Sequence, residues 1–264
     1  MATITQHAPG TFCWPELATT DQEGAKKFYS ALFDWETVDS PMGPGEVYTM
    51  INKGGRGVGA LYAQRKEERG HGIPPHWNSY VSVESADKAA AKAKQLGAMV
   101  MAEPFDVMDV GRMAVIQDPT GAMFCVWEAK KHTGAGVIGE PGSLVWTELM
   151  TKHTAKAQAF YSGLFGWKAE AMKGGPIPYT IFKNANDPNG VGGMLSITPE
   201  MGPVPPNWLP YFAVTDADAT VAKTTKLGGK VLMPPRDIPG TGRFAVLQDP
   251  QGASFAIIKT EPRG

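Results

Sequence analysis

Two carboxylates stand where a carboxylate could do chemistry. Glu16 follows Trp14 by two residues, and Glu148 follows Trp146 by two. In an extended chain that spacing puts each acid on the same face as its indole. A carboxylate among apolar side chains loses hydration, its pKa rises, and it can act as a general base near neutral pH. The competing reading is a glutamate satisfied by backbone amides or by a basic side chain. Arg112 and Arg243 each follow a glycine at the start of a hairpin strand. A guanidinium there could clamp a carboxylate or phosphate, or simply be solvated or bridge domains. Cys125 could serve as a nucleophile, but no base stands in register with it.

The elements that must position these groups are written twice. Residues 25–35 (AKKFYSALFDW) and 157–167 (AQAFYSGLFGW) agree at 7 of 11 positions, 132 apart. Residues 111–121 (GRMAVIQDPTG) and 242–252 (GRFAVLQDPQG) agree at 8 of 11, with an offset of 131. Leu96-Gly97 matches Leu227-Gly228, and Tyr80 matches Tyr211. One register kept along half a chain is a tandem duplication, and each copy is too long for a solenoid repeat of roughly 20–50 residues.

Within the first copy, residues 11–19 read as a short strand with Phe12, Trp14, Glu16 and Ala18 on one face. Thr20-Asp21-Gln22-Glu23 reads as a capping box with Thr20 as the cap. After it, Ala25, Phe28, Tyr29, Leu32 and Phe33 form the apolar stripe of a helix, so most of the repeated FYxxLFxW motif is core. Short strands follow near 47–52 and 57–62, then a charged surface loop at 65–72. A strand at 77–83, a helix at 86–96 ended by Gly97, a strand near 99–102 and a hairpin of 112–117 with 123–127 complete the copy. Asp, Pro and Gly at the first, second and fourth positions make DPTG and DPQG type I turns. The expected domains are 8–129 and 143–261, joined by a Gly-rich polar linker at 130–142.

Composition excludes several classes. The chain has 264 residues, 42% hydrophobic and 19% charged, with net charge -1. Scattered basic residues without a stripe give no handle for nucleic acid or an anionic membrane. No apolar run approaches the roughly 18 residues of a membrane helix, and MATITQHAPG has no apolar core of a signal peptide. Two cysteines, Cys13 and Cys125, suit a reduced, cytoplasmic protein. Strand alternation sets them on opposite faces, which argues against a disulfide.

The order of capped helix, FYxxLFxW, mid-domain strand, helix ending LG and DPxG hairpin, found in both halves, resembles the vicinal oxygen chelate superfamily of glyoxalase I, bleomycin- and fosfomycin-resistance proteins and extradiol dioxygenases. It is most similar to tandem two-domain glyoxalase-like proteins, some labelled hydroxylases. The resemblance implies an α+β fold of two tandem domains, each of paired βαβββ units curling into a half-barrel cup. It also implies a divalent metal held by His, Gln or Glu from about four strand positions. Here those positions are Trp14, residues 58–62, Asn78 and Cys125, and by repeat Trp146, residues 191–196, Leu209 and Ala256. None carries a usual hard ligand, so neither metal nor other cofactor is expected. Of the five histidines, His76 comes nearest the cup, and it reads as a solvated strand-edge residue.

What lines the implied cups is aromatic and mildly polar. The first has Trp14, Glu16, Asn78, Tyr80, Cys125 and Trp127. The second has Trp146, Glu148, Leu209, Tyr211, Ala256 and Ile258. The expectation is a metal-independent protein that binds or converts a small aromatic or carbonyl-bearing metabolite, with Glu16 or Glu148 as base and Arg112 or Arg243 at the mouth. The alternatives are a sequestering protein like the drug-resistance members, or a metal-dependent lyase, dioxygenase or hydroxylase of the same superfamily. A hydroxylase would need an oxygen-activating metal or a flavin, and there is no 2-His-1-carboxylate set and no GxGxxG fingerprint. The first cup is the more polar, so Glu16 is expected to matter more. The only partner expected is a small ligand, with the chain a monomer whose domains pair internally or a homodimer.

Overall fold

The apolar stripe becomes the buried face of α1 (Gln22–Phe33): Ala25, Phe28, Tyr29, Leu32 and Phe33 are all buried. Its cap differs from expectation. Asp21, not Thr20, is the N-cap, and its Oδ1 accepts from the Gly24 amide at 3.0 Å. A carboxylate in that place also meets the positive end of the helix dipole. The computed structural model describes residues 3–172, 177–185 and 187–261.

Eight strands follow the chain through the first half: β1 (Phe12–Thr19), β2 (Glu36–Gly43), β3 (Glu46–Lys53), β4 (Arg56–Ala63), β5 (His76–Ser82), β6 (Met99–Val107), β7 (Gly111–Gln117) and β8 (Met123–Ala129). The charged stretch read as a loop holds a short helix, α2 (Lys66–Gly70), and α3 (Ala86–Gln95) follows β5. The sheet order is β2-β3-β4-β1-β5-β8-β7-β6. β1 is central, parallel to β4 and antiparallel to β5. Glu16 therefore sits mid-sheet, opposite Ala60 and Asn78.

The second half repeats this with β9 (Leu144–Thr151), α4 (Thr154–Phe165), β10 (Lys168–Ala171), β11 (Tyr179–Asn184), β12 (Asp187–Ser196), β13 (Asn207–Ala213), α5 (Ala217–Lys226), β14 (Lys230–Ile238), β15 (Gly242–Gln248) and β16 (Ser254–Thr260). Its order, β10-β11-β12-β9-β13-β16-β15-β14, is the same. Glu148 lies mid-sheet opposite Gly193 and Leu209. Among the described residues no helix is long and apolar enough to cross a membrane.

The halves do not keep separate cores. One buried cluster joins Phe28, Tyr29, Leu32 and Phe33 of α1 to Phe212, Leu247, Phe255 and Ile257 of the second half. Its counterpart joins Phe160, Tyr161 and Leu164 of α4 to Ile116, Phe124 and Val126 of the first half. Each N-terminal βαβββ unit thus packs on the C-terminal unit of the other half, helix faces together.

This exchange explains why FYSALFDW and FYSGLFGW recur. The Tyr161 hydroxyl donates to Asp118 Oδ2 at 2.8 Å, and Tyr29 donates to Asp249 Oδ2 at 3.0 Å. Each tyrosine in turn accepts an indole N–H: Trp208 at 2.7 Å and Trp77 at 3.1 Å. The DPxG segments are therefore more than the turns the sequence suggests. Asp118 Oδ1 ties its own turn by accepting the Thr120 and Ala122 amides, while Oδ2 reaches the opposite half. The closing tryptophans anchor backbone: Trp35 donates to the Gly142 carbonyl at 2.7 Å and Trp167 to Gly10 at 2.8 Å.

Candidate functional site

On the face of each sheet away from the helices, side chains from distant strands meet, which requires the sheet to curl. In the first half Trp14 (β1), Tyr48 and Met50 (β3), Tyr80 (β5), Met113 (β7) and Trp127 (β8) share one cluster. In the second, Trp146 and Met150 (β9), Tyr211 (β13), Phe244 (β15) and Ile258 (β16) do so. These are the two cups, with Glu16 and Glu148 at their floors.

Each carboxylate is the centre of a relay. In the first cup Tyr48 donates to Glu16 Oε1 and Tyr80 to Oε2, both at 2.7 Å, and the Trp14 indole donates to Tyr48 at 3.3 Å. In the second, Tyr211 donates to Glu148 Oε1 at 2.9 Å, Tyr179 also bonds to the carboxylate, and the Trp146 indole donates to Tyr179 at 2.8 Å. Gly193 makes this possible, because a Cβ there would lie 1.8 Å from the Tyr179 hydroxyl oxygen.

Burial sets the electrostatics. Glu16 is 8% exposed and Glu148 6%. Desolvation pushes both pKa values up, against the pull of their tyrosine hydrogen bonds. Glu148 reaches about 7. Glu16 has a further restraint in the nearby His76. The phenols of Tyr48, Tyr80, Tyr179 and Tyr211 are pushed well above their ordinary range, first by desolvation and then by the adjacent glutamate. They are protonated donors throughout the physiological range.

The cups differ at the tryptophan end. In the first, the segment at 130–142 is packed rather than loose: the Ala135 amide donates to the Cys13 carbonyl and Gly136 to Gly57, and Ala135 and Val137 are buried. His132 lies edge-on to Trp14 at 4.5 Å, and Trp127 donates to the His132 carbonyl at 2.8 Å. Gly111 leaves room for that ring, since a Cβ would fall 2.1 Å from it. Trp14 is 4% exposed as a result. In the second cup Ile258 replaces Trp127, and Trp146 is only half-buried. A groove of about 370 Å³ opens beside Trp146, with Ile4, His7, Ile138, Gly190 and Val191 in its wall.

Other expected site residues fall elsewhere. Arg112 and Arg243 do not face the cups, and this corrects the expectation of a mouth clamp. Arg112 forks onto Asp87 of α3 at 2.7 and 2.9 Å, and Arg243 forks onto Asp218 of α5 at 2.6 and 2.9 Å. Strand alternation forces this: Met113 and Phe244, the next residues, are the ones that point into the cups. Asn78, half-buried, stands opposite Glu16, and Leu209 opposite Glu148. Cys125 is buried and its thiol pKa is raised by desolvation, so it is not a thiolate. Cys13 joins Cys125 in one buried cluster, where opposite faces were expected, because β1 carries a register irregularity between Phe12 and Trp14. Both thiols are free.

Tyr48 and Tyr179 are the residues the sequence reading missed. They stand 131 apart, the offset of the DPxG repeat. That coincidence was the available signal, obscured because the strands around them share few other identities.

The family's metal positions carry Trp14, Asn78 and Cys125 in one cup and Trp146, Leu209 and Ala256 in the other. Indole, alkyl and protonated thiol are not ligands for a hard divalent ion, and the Asn78 amide oxygen alone, with no counterpart at Leu209, does not make a site. Among the described residues no three His, Cys, Asp or Glu side chains converge. The donor set at these positions does not fit a metal.

Two eight-stranded sheets of paired βαβββ units, with the helices packed against the faces away from the cups and a polar centre in each concave face, define the glyoxalase-like fold. The chain belongs to the Glyoxalase/Bleomycin resistance protein/Dioxygenase superfamily, whose family profile matches residues 11–126 and 143–257. It is 44% identical over 260 residues to CFP32 of Mycobacterium tuberculosis, whose designation as a glyoxylase is provisional, covering 98% of each chain. It is 35% identical to the anthracycline biosynthesis protein DnrV of Streptomyces peucetius, over 97% of this chain and 95% of that one. Among solved structures it superposes on the Mn(II)-bound glyoxalase from Novosphingobium aromaticivorans with a TM-score of 0.65 at 15% identity, covering 98% of this chain and 83% of that one. It also superposes on the 2,3-dioxygenase LapB from Pseudomonas sp. KL28 with a TM-score of 0.63 at 11% identity, over 97% and 96%. At such identities these structures share the fold alone.

Proposed function

We propose that this protein binds a flat, carbonyl-bearing small molecule in its second cup and moves a proton on it through Glu148, without a metal. The observation that carries this is Glu148 itself: a buried carboxylate, held by two tyrosines that stay protonated, with a pKa of about 7. A base so poised is half ionised at neutral pH, where proton transfer in both directions is efficient. As carboxylate it takes a proton from a carbon beside a carbonyl or from a phenol; as acid it returns one. Trp146, half-buried beside an open groove, offers a ring for a flat ligand to stack on. The relative DnrV is named for anthracycline biosynthesis, and anthracyclines are flat, polycyclic and rich in carbonyls.

This assignment reverses the sequence expectation that Glu16 matters more. The greater polarity of the first cup is taken up by packing: His132 and Trp127 close the end where Trp14 lies. That same closure favours a second reading. The first relay is complete although its tryptophan is sealed, so a Trp–Tyr–Glu–Tyr relay can serve structure or binding without turnover.

Binding is tested with a hydroxyanthraquinone as probe. It is expected to quench tryptophan fluorescence, and Trp146→Ala is expected to weaken its affinity by about 1–3 kcal/mol, the usual cost of removing an aromatic anchor. Trp14→Ala should leave affinity nearly unchanged. Unchanged affinity in Trp146→Ala would remove the second cup from consideration.

A further inference from the structure

The two cups repeat their floors but not their rims. In the first, Glu36 and Asn52 face each other across β2 and β3, and Phe105 stands beside Met113 on β6 and β7. The corresponding residues of the second are Lys168, Lys183 and Arg236, found 132, 131 and 131 positions on. All three matching positions have become cationic.

The register fixes where these cations point. Lys168 pairs with Lys183, two residues from the pair Glu170–Ile181. Ile181 pairs with Gly193, and Gly193 with Glu148. The lysines therefore share the Glu148 face and stand one pleat nearer the Trp146 end, about 7 Å along the strands. Arg236 pairs with Phe244, a member of the second cup's cluster, so it too lies on the concave face. It projects from the edge strand across the cup from the lysines.

Their partners are few. Lys183 is bonded to Glu170 at 2.6 Å, while among the described residues Arg236 and Lys168 form no ion pair. Three cations and Glu170 give these four rim positions a formal charge of +2, where the matching positions of the first cup, Glu36, Val38, Asn52 and Phe105, sum to -1. Arg243, on the outer face of the same hairpin, is by contrast fully engaged by Asp218 and Asp237.

We propose that the second cup, unlike the first, takes an anionic ligand: a flat ring system bearing a carboxylate, with its rings against Trp146 and its carboxylate at Arg236, in the positive field of the rim. The guanidinium fork matches a carboxylate in geometry as well as charge. Placing the anion a pleat away from Glu148 separates two negative groups while leaving the ring system over the base. This rests on reading the second cup as the ligand site.

The test uses the whole protein, titrated calorimetrically with anthraquinone-2-carboxylate and with its uncharged carboxamide. Arg236→Phe, which installs the first cup's own residue at an exposed position, is expected to weaken the carboxylate about tenfold and leave the carboxamide unchanged. Raising salt should likewise weaken only the carboxylate. If the two probes bind equally and Arg236→Phe alters neither, the anion assignment is wrong while the ligand site stands. If neither probe binds, or Trp146→Ala changes neither, the ligand reading of the second cup fails and this inference with it.

Discussion

Glu148→Gln is expected to lower turnover of any substrate by about 10²–10⁴-fold with little change in binding. Glutamine keeps the shape and can still accept from Tyr211, but it cannot take a proton. Glu16→Gln should reduce activity only as far as it reduces folded protein. Stability supplies a readout that needs no substrate. The folded pKa of Glu148, about 7, lies above the ordinary value of 4.5. Below pH 4.5 both folded and unfolded states hold the proton, and the group has no effect. Between 4.5 and 7 the folded state holds it more tightly, so stability falls as pH rises, by on the order of 3 kcal/mol in all. Glu148→Gln should abolish this fall, so the variant gains on the wild type between pH 4 and pH 8. A difference between the two that does not change with pH would contradict a raised Glu148.

The second large effect concerns the division of the chain. Residues 1–138 and 139–264, produced separately, are expected not to fold. Each would expose half of a shared core, including Phe28, Tyr29, Phe33 and their counterparts, and would leave a tyrosine of one half and an aspartate of the other unpaired. Produced together, they should associate into a folded heterodimer, since the exchanged packing does not need the covalent link. Circular dichroism and gel filtration decide this. Two halves that each fold as stable monomers would show that the cross-half contacts are incidental.

The duplication, the helix stripes and the floor positions of Glu16 and Glu148 were legible in the sequence because each rests on a local period. Alternation and the helical repeat are properties of neighbouring residues. What was not legible depends on partners far along the chain. Asp118 looks like a turn residue until Tyr161 of the other half is placed 2.8 Å away. Tyr48 gains its role only when β3 is laid beside β4 and β1, opposite Tyr62. Arg112 pairs with Asp87 because strand alternation turns it to the face opposite Met113, and the glycine before it does not reveal which face that is. The segment at 130–142 reads as a linker from its glycines, yet those glycines let it lie against Cys13 and Gly57. β2 escaped notice because it is exposed along nearly all its length and lacks an apolar period.

The central claim, that the second cup holds a proton-transfer base tuned to neutrality, is tested most directly by titrating the glutamate side-chain carboxyl carbons by ¹³C NMR, with Glu148→Gln identifying the resonance. A midpoint near 7 for Glu148, moving no other buried glutamate when it is removed, is the result this account requires. A midpoint near 4.5 would mean that Glu148 is an ordinary carboxylate bonded to two tyrosines, and that the relay is scaffolding.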